Sequence, residues 1–336
     1  MRDLSLLLDK FSRCHIAVIG DLMLDVYLWG HIDRISPEAP VPILNVVRRS
    51  STLGGAGNVV ENLRSMGVDV TTLGVVGDDE IGQQICDLLR QHGADVQGVV
   101  RDPSRKSTRK ARLMSMEHGQ QVFRFDEEST APLDNEIKQK MMDIIHRMNN
   151  GIQAVVCSDY LKGVLSEDVL ASVFAAARKR GIRSIVAPKD SNPEKYRGAD
   201  ILMPNFRELM QLAGRKSNGE ISLNEAAASL IEKLSLEALV VTRGSDGMSV
   251  FAKDACRVDI PTTARSVYDV TGAGDTAIAA LAAAVGSAAD LKIAARLANI
   301  TAGIKVGKRG TASVTLEEVR SSLRIQQPEV LKESTT

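Results

Sequence analysis

Apolar residues along this chain follow two alternating rhythms. Short runs that are apolar on both faces, at 16–20, 68–76, 154–157, 184–187, 201–203 and 238–242, predict buried strands. Between them, apolar positions recurring every three to four residues predict helices over 56–66, 80–92, 134–148, 166–180, 221–234, 273–285 and 289–306. Strands buried on both faces and alternating with helices imply an α/β sandwich, a mostly parallel sheet covered on each side. Two stretches break the rhythm. Residues 24–48, with Trp29, Pro37, Pro40 and Pro42, and residues 98–125, with Arg105, Lys106, Arg109, Lys110 and Arg112, read as short strands without intervening helices. Because proline is confined to sheet edges, they predict a small separate sheet projecting from the body. Trp29 is expected to pack within it.

Two glycine turns punctuate the pattern. In Asp269-Val270-Thr271-Gly272-Ala273-Gly274-Asp275, a carboxylate, a glycine turn and the start of an alanine-rich helix fall within seven residues. Gly272 and Gly274 permit a tight turn and close approach to a ligand, and the helix start at Ala273 directs free amides toward an anion. Asp275, one residue past the second glycine, would face that anion as a base for an attacking hydroxyl. The same residues also suit a plain helix start. The second turn, Gly54-Gly55-Ala56-Gly57-Asn58, lacks both dinucleotide-fingerprint and Walker spacing. It lets a substrate approach the backbone, with Asn58 placed for sugar hydroxyls or simply for capping. Asp21 and Asp25 follow the first strand, at the carboxyl edge where open α/β sheets bind ligands.

Composition narrows the chemistry. With 42 basic and 42 acidic residues among 336, the net charge is zero, so nothing steers the protein globally to nucleic acid or membrane and any anion site must be local. A hydrophobic content of 44% and a charged content of 25% are those of a globular protein. Cys14, Cys86, Cys157 and Cys256 form no close pair and the five histidines are dispersed, which argues against zinc and disulfides and predicts a reducing, cytoplasmic setting. The apolar run 4–8 is too short for a signal core, and 277–289, broken by Gly286 and Ser287, reads as a buried helix.

The two glycine turns, with Gly67 and Gly77 downstream of the first, lie about two hundred residues apart and together resemble the two signatures of the ribokinase-like (PfkB) sugar kinases. Asn205-Phe206-Arg207-Glu208 resembles the family's N-x-x-E motif, and Thr242-Arg243-Gly244-Ser245-Asp246-Gly247 its nucleotide turn. More narrowly, the segments 20–25, 34–42, 195–199 and 307–311 resemble the D-glycero-β-D-manno-heptose 7-phosphate kinases of lipopolysaccharide-core synthesis. Some of those carry a fused nucleotidyltransferase; with no His-x-Gly-His, this chain is similar to the free-standing kinase.

The resemblance implies a three-layer ribokinase-like sandwich over 1–330 with a β lid and a tail at 331–336. It implies ATP and magnesium as cofactors, and a monovalent cation such as K+. Asp275 would be the base, with the amides of Gly272, Ala273 and Gly274 as anion hole. Asp25, Gly54, Gly55 and Asn58 would hold the sugar. Asn205 and Glu208 would organise magnesium and phosphates, and Thr242, Gly244, Gly247 and Asn299 would line the nucleotide site. Asp269 would bind the monovalent cation, or serve as an ordinary acidic turn residue. Lys110 and Arg112, on one face of a strand with Thr108, are candidates to clamp the distal phosphate, and Lys189 is another. Relatives usually have Asp where this chain has Ala187. A homodimer through the lid sheets is expected, since a small sheet needs cover. Alternatives are a kinase of another sugar, of ribokinase or ketodeoxygluconate kinase type, or a non-catalytic sugar-phosphate sensor.

Overall fold

The computed structural model describes residues 2–325 apart from 118, 149–150, 215–221, 254–255, 265, 309 and 311, so the expected tail at 331–336 lies outside the described residues. In chain order the strands are β1 (His15–Gly20), β2 (Leu22–Ile35), β3 (Pro42–Gly55), β4 (Asp69–Gly77), β5 (Asp95–Asp102), β6 (Thr108–Ser115), β7 (Gln121–Glu127), β8 (Ala154–Ser158), β9 (Arg183–Ala187), β10 (Ile201–Leu202), β11 (Ala238–Thr242), β12 (Met248–Ala252) and β13 (Val258–Ile260). The helices are α1 (Arg2–Leu8), α2 (Ala56–Ser65), α3 (Glu80–Gln91), α4 (Asn135–His146), α5 (Glu167–Arg180), α6 (Phe206–Leu212), α7 (Leu223–Leu234), α8 (Ala273–Gly286), α9 (Leu291–Val306) and α10 (Leu316–Ile325).

Nine strands form the central sheet in the order β13-β12-β11-β10-β9-β8-β1-β4-β5, parallel from β5 to β11 and antiparallel at β12 and β13. Alternation along β1 divides the core. Ile16 and Val18 face the layer of α2, α3, α8, α9 and α10, while Ala17 and Ile19 face α4 to α7. The helix expected after the glycine turn is α8, and Ala277 to Val285 are buried without interruption. After β1 the chain builds outward to β4 and β5, then returns to place β8 on the other side of β1. The strand order therefore reverses between β1 and β8, and their carboxyl ends open the crevice where such sheets bind ligands.

The small sheet is present, in the order β3-β2-β6-β7, with β2 parallel to β6. Its boundaries differ from the sequence expectation. Residues 98–102 belong to β5, an edge strand of the central sheet, whose half-exposed alternation resembles that of a lid strand. The first segment is not a set of short strands but two of 14 residues each, β2 and β3, reaching from residue 22 to 55. Pro37 and Pro40 lie in the connection between them and Pro42 opens edge strand β3, so no proline interrupts a ladder. Trp29 packs under the Arg48 guanidinium, 4.9 Å from its ring centre.

Register gives the lid two unlike faces. Asp25 lies opposite Lys110 and Tyr27 opposite Arg112, with Asp126 and Arg124 next in the same rows. The adjacent rows, Val26-Ala111-Phe125 and Leu28-Leu113-Phe123, form an apolar outer face on which Phe123 is 59% exposed.

Candidate active site

The glycine turn before α8 hinges on Gly272, whose φ of 76° is left-handed and caps that helix. A Cβ there would lie 2.7 Å from Asn58 Nδ2, so glycine also allows the two signature segments to touch. A Cβ on Gly274 would meet nothing within 4 Å, so protein packing does not explain that glycine. Its amide belongs to the first turn of α8, where N–H groups have no intrahelical acceptor.

Asp275 is buried in that first turn and accepts two hydrogen bonds, from Asn58 Nδ2 at 2.8 Å and from the Tyr160 hydroxyl at 2.7 Å. Burial pushes its carboxyl up to about 6, with the Tyr160 and Asn58 donors and the Lys189 charge opposing the rise. The carboxylate is thus basic for its kind yet ionised at neutral pH, as a proton acceptor must be.

Asn58, expected to hold sugar hydroxyls, is mostly committed elsewhere. Its Oδ1 accepts from Asn62 Nδ2 at 3.0 Å, which orients Nδ2 toward Asp275 and leaves one N–H for a ligand. Asn62 Oδ1 in turn accepts the Thr276 hydroxyl at 3.0 Å and the Val314 amide at 3.3 Å. This buried relay fixes the Asp275 carboxylate, and Asn62 escaped the sequence reading because an Asn inside a helix reads as neutral.

Tyr160 also escaped it. Asp21, fully buried at the end of β1, accepts the Tyr160, Lys162 and Val164 amides at 2.7, 3.1 and 3.3 Å, wrapping the loop after β8 around one carboxylate. Asp21 is therefore a positioning residue, and burial raises its carboxyl above the ordinary range despite those donors. Burial and the Asp275 charge raise Tyr160 well above an ordinary phenol, so its hydroxyl stays protonated and donating. Nearby, Lys195 Nζ and the Tyr196 hydroxyl anchor buried Asp159 at 2.6 and 2.7 Å, which accounts for that part of segment 195–199. At Ala187 the segment serves through its carbonyl, which accepts the Asp159 amide at 3.3 Å.

Over the crevice stands the inner face of the lid. Asp25 Oδ2 would lie 2.6 Å from a Cβ on Gly54, so the first glycine turn lets the lid carboxylate come down onto the backbone. Arg112 Nη1 binds Asp25 Oδ1 at 2.6 Å, and Lys110 Nζ reaches Asp126 and Glu128 at 3.1 and 3.3 Å. Lys110 and Arg112 do share the expected face, but neither is a bare cation. Lys162 joins Glu128 at 2.8 Å, tying the Tyr160 loop to the end of the lid.

Asn205 and Glu208 form a capping box on α6: Asn205 Oδ1 accepts the Glu208 amide at 2.9 Å and Glu208 Oε2 accepts the Asn205 amide at 2.8 Å. Glu208 Oε1 pairs with Lys189, whose Nζ lies 5.7 Å over the Tyr160 ring. Lys189 thus sits beside the base rather than among the lid cations. Asn205 bridges to Thr242 at the carboxyl edge of β11, and the Gly244–Gly247 turn closes the β11–β12 hairpin. Asn299 donates to the Pro261 carbonyl at 2.7 Å. Beyond it, Thr263, Ser266, Ile300, Gly303, Ile304 and Gly307 line a cavity of about 500 Å³, ample for a nucleoside. The opposite wall is α10, with Glu317, Glu318 and Ser321, and none of these helix residues carries a sequence signature.

Among the described residues no group of three or more His, Cys, Asp or Glu could hold a metal. Glu208, the expected magnesium residue, has both oxygens engaged, by the Asn205 amide and by Lys189, so it could serve only an ion held mainly through water and phosphates. A monovalent ion fits poorly at Asp269. Its carboxylate oxygens accept the Thr271 and Gly310 amides at 2.9 and 3.0 Å, which hold it below the ordinary range against the effect of burial, and the Gly310 carbonyl is taken by Lys305.

Comparison with known proteins agrees with this geometry. The bifunctional protein HldE of Trichlorobacter lovleyi is 43% identical over 320 residues, covering 95% of this chain and 65% of that protein. HldE of Geobacter sulfurreducens is 45% identical over 312 residues, covering 93% and 63%. The chain thus spans less than two thirds of the length of these relatives. In fold, Escherichia coli phosphofructokinase-2 solved with potassium superposes with a TM-score of 0.77 at 19% identity, over 92% of this chain and 97% of that one. The Arabidopsis thaliana ribokinase solved with ribose and ATP gives 0.71 at 19% identity, over 92% and 98%. A profile of the pfkB family carbohydrate kinases matches residues 14–318, from the start of β1 into α10, and so takes in both glycine turns, the small sheet and Asp275. The chain belongs to that family and is an ATP-dependent carbohydrate kinase.

Proposed function

We propose that the chain phosphorylates the anomeric hydroxyl of D-glycero-β-D-manno-heptose 7-phosphate, giving the 1,7-bisphosphate and ADP, in lipopolysaccharide-core heptose synthesis. The observation that carries this reading is the lid's inner face, where Arg112, Lys110, Arg124 and Lys162 gather around Asp25, Asp126 and Glu128. A sugar whose far end is anionic meets cations there, while its hydroxyls meet Asp25 and the Gly54–Gly55 backbone. The resemblance of segments 20–25, 34–42, 195–199 and 307–311 to heptose phosphate kinases, and the identity with HldE proteins, support the same substrate.

The anomeric O–H attacks the γ-phosphorus and the bond from that phosphorus to the β–γ bridging oxygen breaks, releasing ADP. Asp275 takes the hydroxyl proton late, as a loose transition state requires, and the anomeric hydroxyl is more acidic than an ordinary alcohol. The Gly272 and Gly274 amides steady the equatorial oxygens, with Lys189 close by, whereas the Ala273 amide, expected to join them, donates to the Val270 carbonyl at 3.2 Å. Magnesium, organised by Asn205 and Glu208, would neutralise phosphate charge. The cavity beside Asn299 would take the adenine. The apolar outer face of the lid supports a homodimer, and the absence of any close cysteine pair supports a reducing cytoplasm.

A kinase of an uncharged sugar is favoured by one observation: Arg112, Lys110, Arg124 and Lys162 each already have a carboxylate partner. ADP release across a panel of heptose 7-phosphate, heptose, ribose and ketodeoxygluconate separates the two. Replacing both Lys110 and Arg112 with Ala should raise KM for the phosphorylated sugar by tens to hundreds of fold, since charge-assisted hydrogen bonds are worth roughly 1.5–3 kcal/mol each, with KM for ATP and kcat barely moved. An unchanged KM, or preference for an unphosphorylated sugar, refutes the substrate assignment.

A further inference from the structure

Lys305, in the last turn of α9, is completely buried. A lysine usually keeps its ammonium in water while burying its stem, so an enclosed one needs a specific reason. Its Nζ donates to the Gly310 carbonyl, and the Gly310 amide donates to Asp269. The Asp269 and Tyr268 amides both donate to the Val306 carbonyl, at 3.2 and 2.7 Å, strapping the segment before the glycine turn onto the end of α9. Cε of Lys305 lies 3.5 Å from where a Cβ on Gly272 would be, so the ammonium stem runs directly beneath the anion turn. Among the charged groups acting on it, Asp269 leads, with Asp275 and Glu61 favouring the ammonium and Lys308 opposing it. A backbone carbonyl and a nearby carboxylate at the foot of an anion-binding loop are the kind of surroundings that hold a monovalent metal ion.

We propose that the Lys305 ammonium is a built-in monovalent cation, fixing the Asp269 loop and the Gly272–Gly274 amides in their phosphate-binding arrangement, so that this kinase works without K+. The inference rests on the reading of that turn as the phosphoryl site. An ammonium group is close to K+ in size and equal in charge, and its tether removes the dependence on ion concentration. Burial lowers the basicity of Lys305, and the Asp269 charge opposes that effect.

The test needs no sugar. Melting temperature and affinity for MgADP, by calorimetry, are measured for the wild type in potassium, sodium and choline chloride at equal ionic strength. The expected result is agreement within about twofold in affinity and unshifted melting. Tightening by more than about fivefold in potassium over choline overturns the inference. Lys305→Ala, which opens room for an ion, should weaken MgADP by about tenfold or more in choline and recover in part in potassium, whereas Lys305→Met, which fills the space with an apolar chain, should not recover. Wild-type affinity of Lys305→Ala in choline overturns it as well. Should neither variant fold, the wild-type salt series still decides. A potassium requirement alongside normal sugar turnover removes the role of Lys305 alone; failure to bind MgADP in every salt removes the phosphoryl-site reading with it.

Discussion

Replacing Asp275 with Asn should abolish turnover and, at the same time, make the protein more stable. Burial moves this carboxyl from 3.8 to about 6. At about 1.4 kcal/mol per pH unit, the ionised form is disfavoured in the fold by about 3 kcal/mol. The sign follows from linkage. With the folded value raised, the folded state holds a proton that the unfolded state has already released between pH 3.8 and about 6, so stability declines as pH rises through that window. Above it the full cost of an ionised, desolvated carboxylate is present. Asparagine mimics the neutral acid: its oxygen can accept from Asn58 and its amide can donate to Tyr160. At pH 8 the variant should therefore gain about 3 kcal/mol, read as a rise of about 4–6 °C in melting temperature for a chain of this length. The gain should shrink to roughly half by pH 5. Scanning calorimetry across pH is the assay, and it is cleaner than a pH–rate profile because substrate phosphates also titrate near pH 6. kcat should fall on the order of a hundredfold or more, with MgATP and sugar affinity kept. A variant no more stable than wild type at pH 8, or one with the same gain at pH 5 and pH 8, refutes the argument; a near-normal kcat refutes the assignment of the base.

Tyr160→Phe removes one donor from the ionised carboxylate, so the stabilisation produced by Asp275→Asn should grow by about 1.5–3 kcal/mol in the Tyr160→Phe background; strict additivity in the double-mutant cycle would exclude the contact. Phe123→Asp, on the apolar outer face of the lid, should turn a homodimer into monomers in sedimentation while leaving the monomer folded, and a wild type that is monomeric and fully active at micromolar concentration ends that proposal.

Local pattern carried most of the fold. The helices after each glycine turn were legible because a turn, a cap and an apolar stripe coincide within a few residues, as at Gly272 and α8. β5 was not, because an edge strand alternates like a lid strand and only its parallel pairing with β4 assigns it. The site divides along the same line. Asp275, Asp25 and the glycine turns announce themselves through motif and spacing. Tyr160 and Asn62 do not, since their roles come from partners 115 and 214 residues away, Asp275 and Thr276. Lys305 reads in sequence as one more charged residue on a helix, and only its enclosure beneath Gly272 gives it a role. The clamp at Lys110 and Arg112 was half legible: strand period put them on one face, but their carboxylate partners arrive from β2, β7 and the residue just beyond β7.

The relay from Val314 through Asn62 and Asn58 to Asp275 also has a bearing on how the enzyme comes into being. Asn58 and Asp275 are separated by 217 residues, and Asn62 and Val314 by 252. At ribosomal speeds of about 5–20 residues per second, Asn58 waits roughly 10–40 s for Asp275, and Asn62 a little longer for Val314. A nascent or truncated chain can thus present the small sheet with no Asp275 carboxylate beneath it. The segment that carries Val314 is the last part of the relay to emerge, and until it does Asn62 Oδ1 lacks one of its two donors.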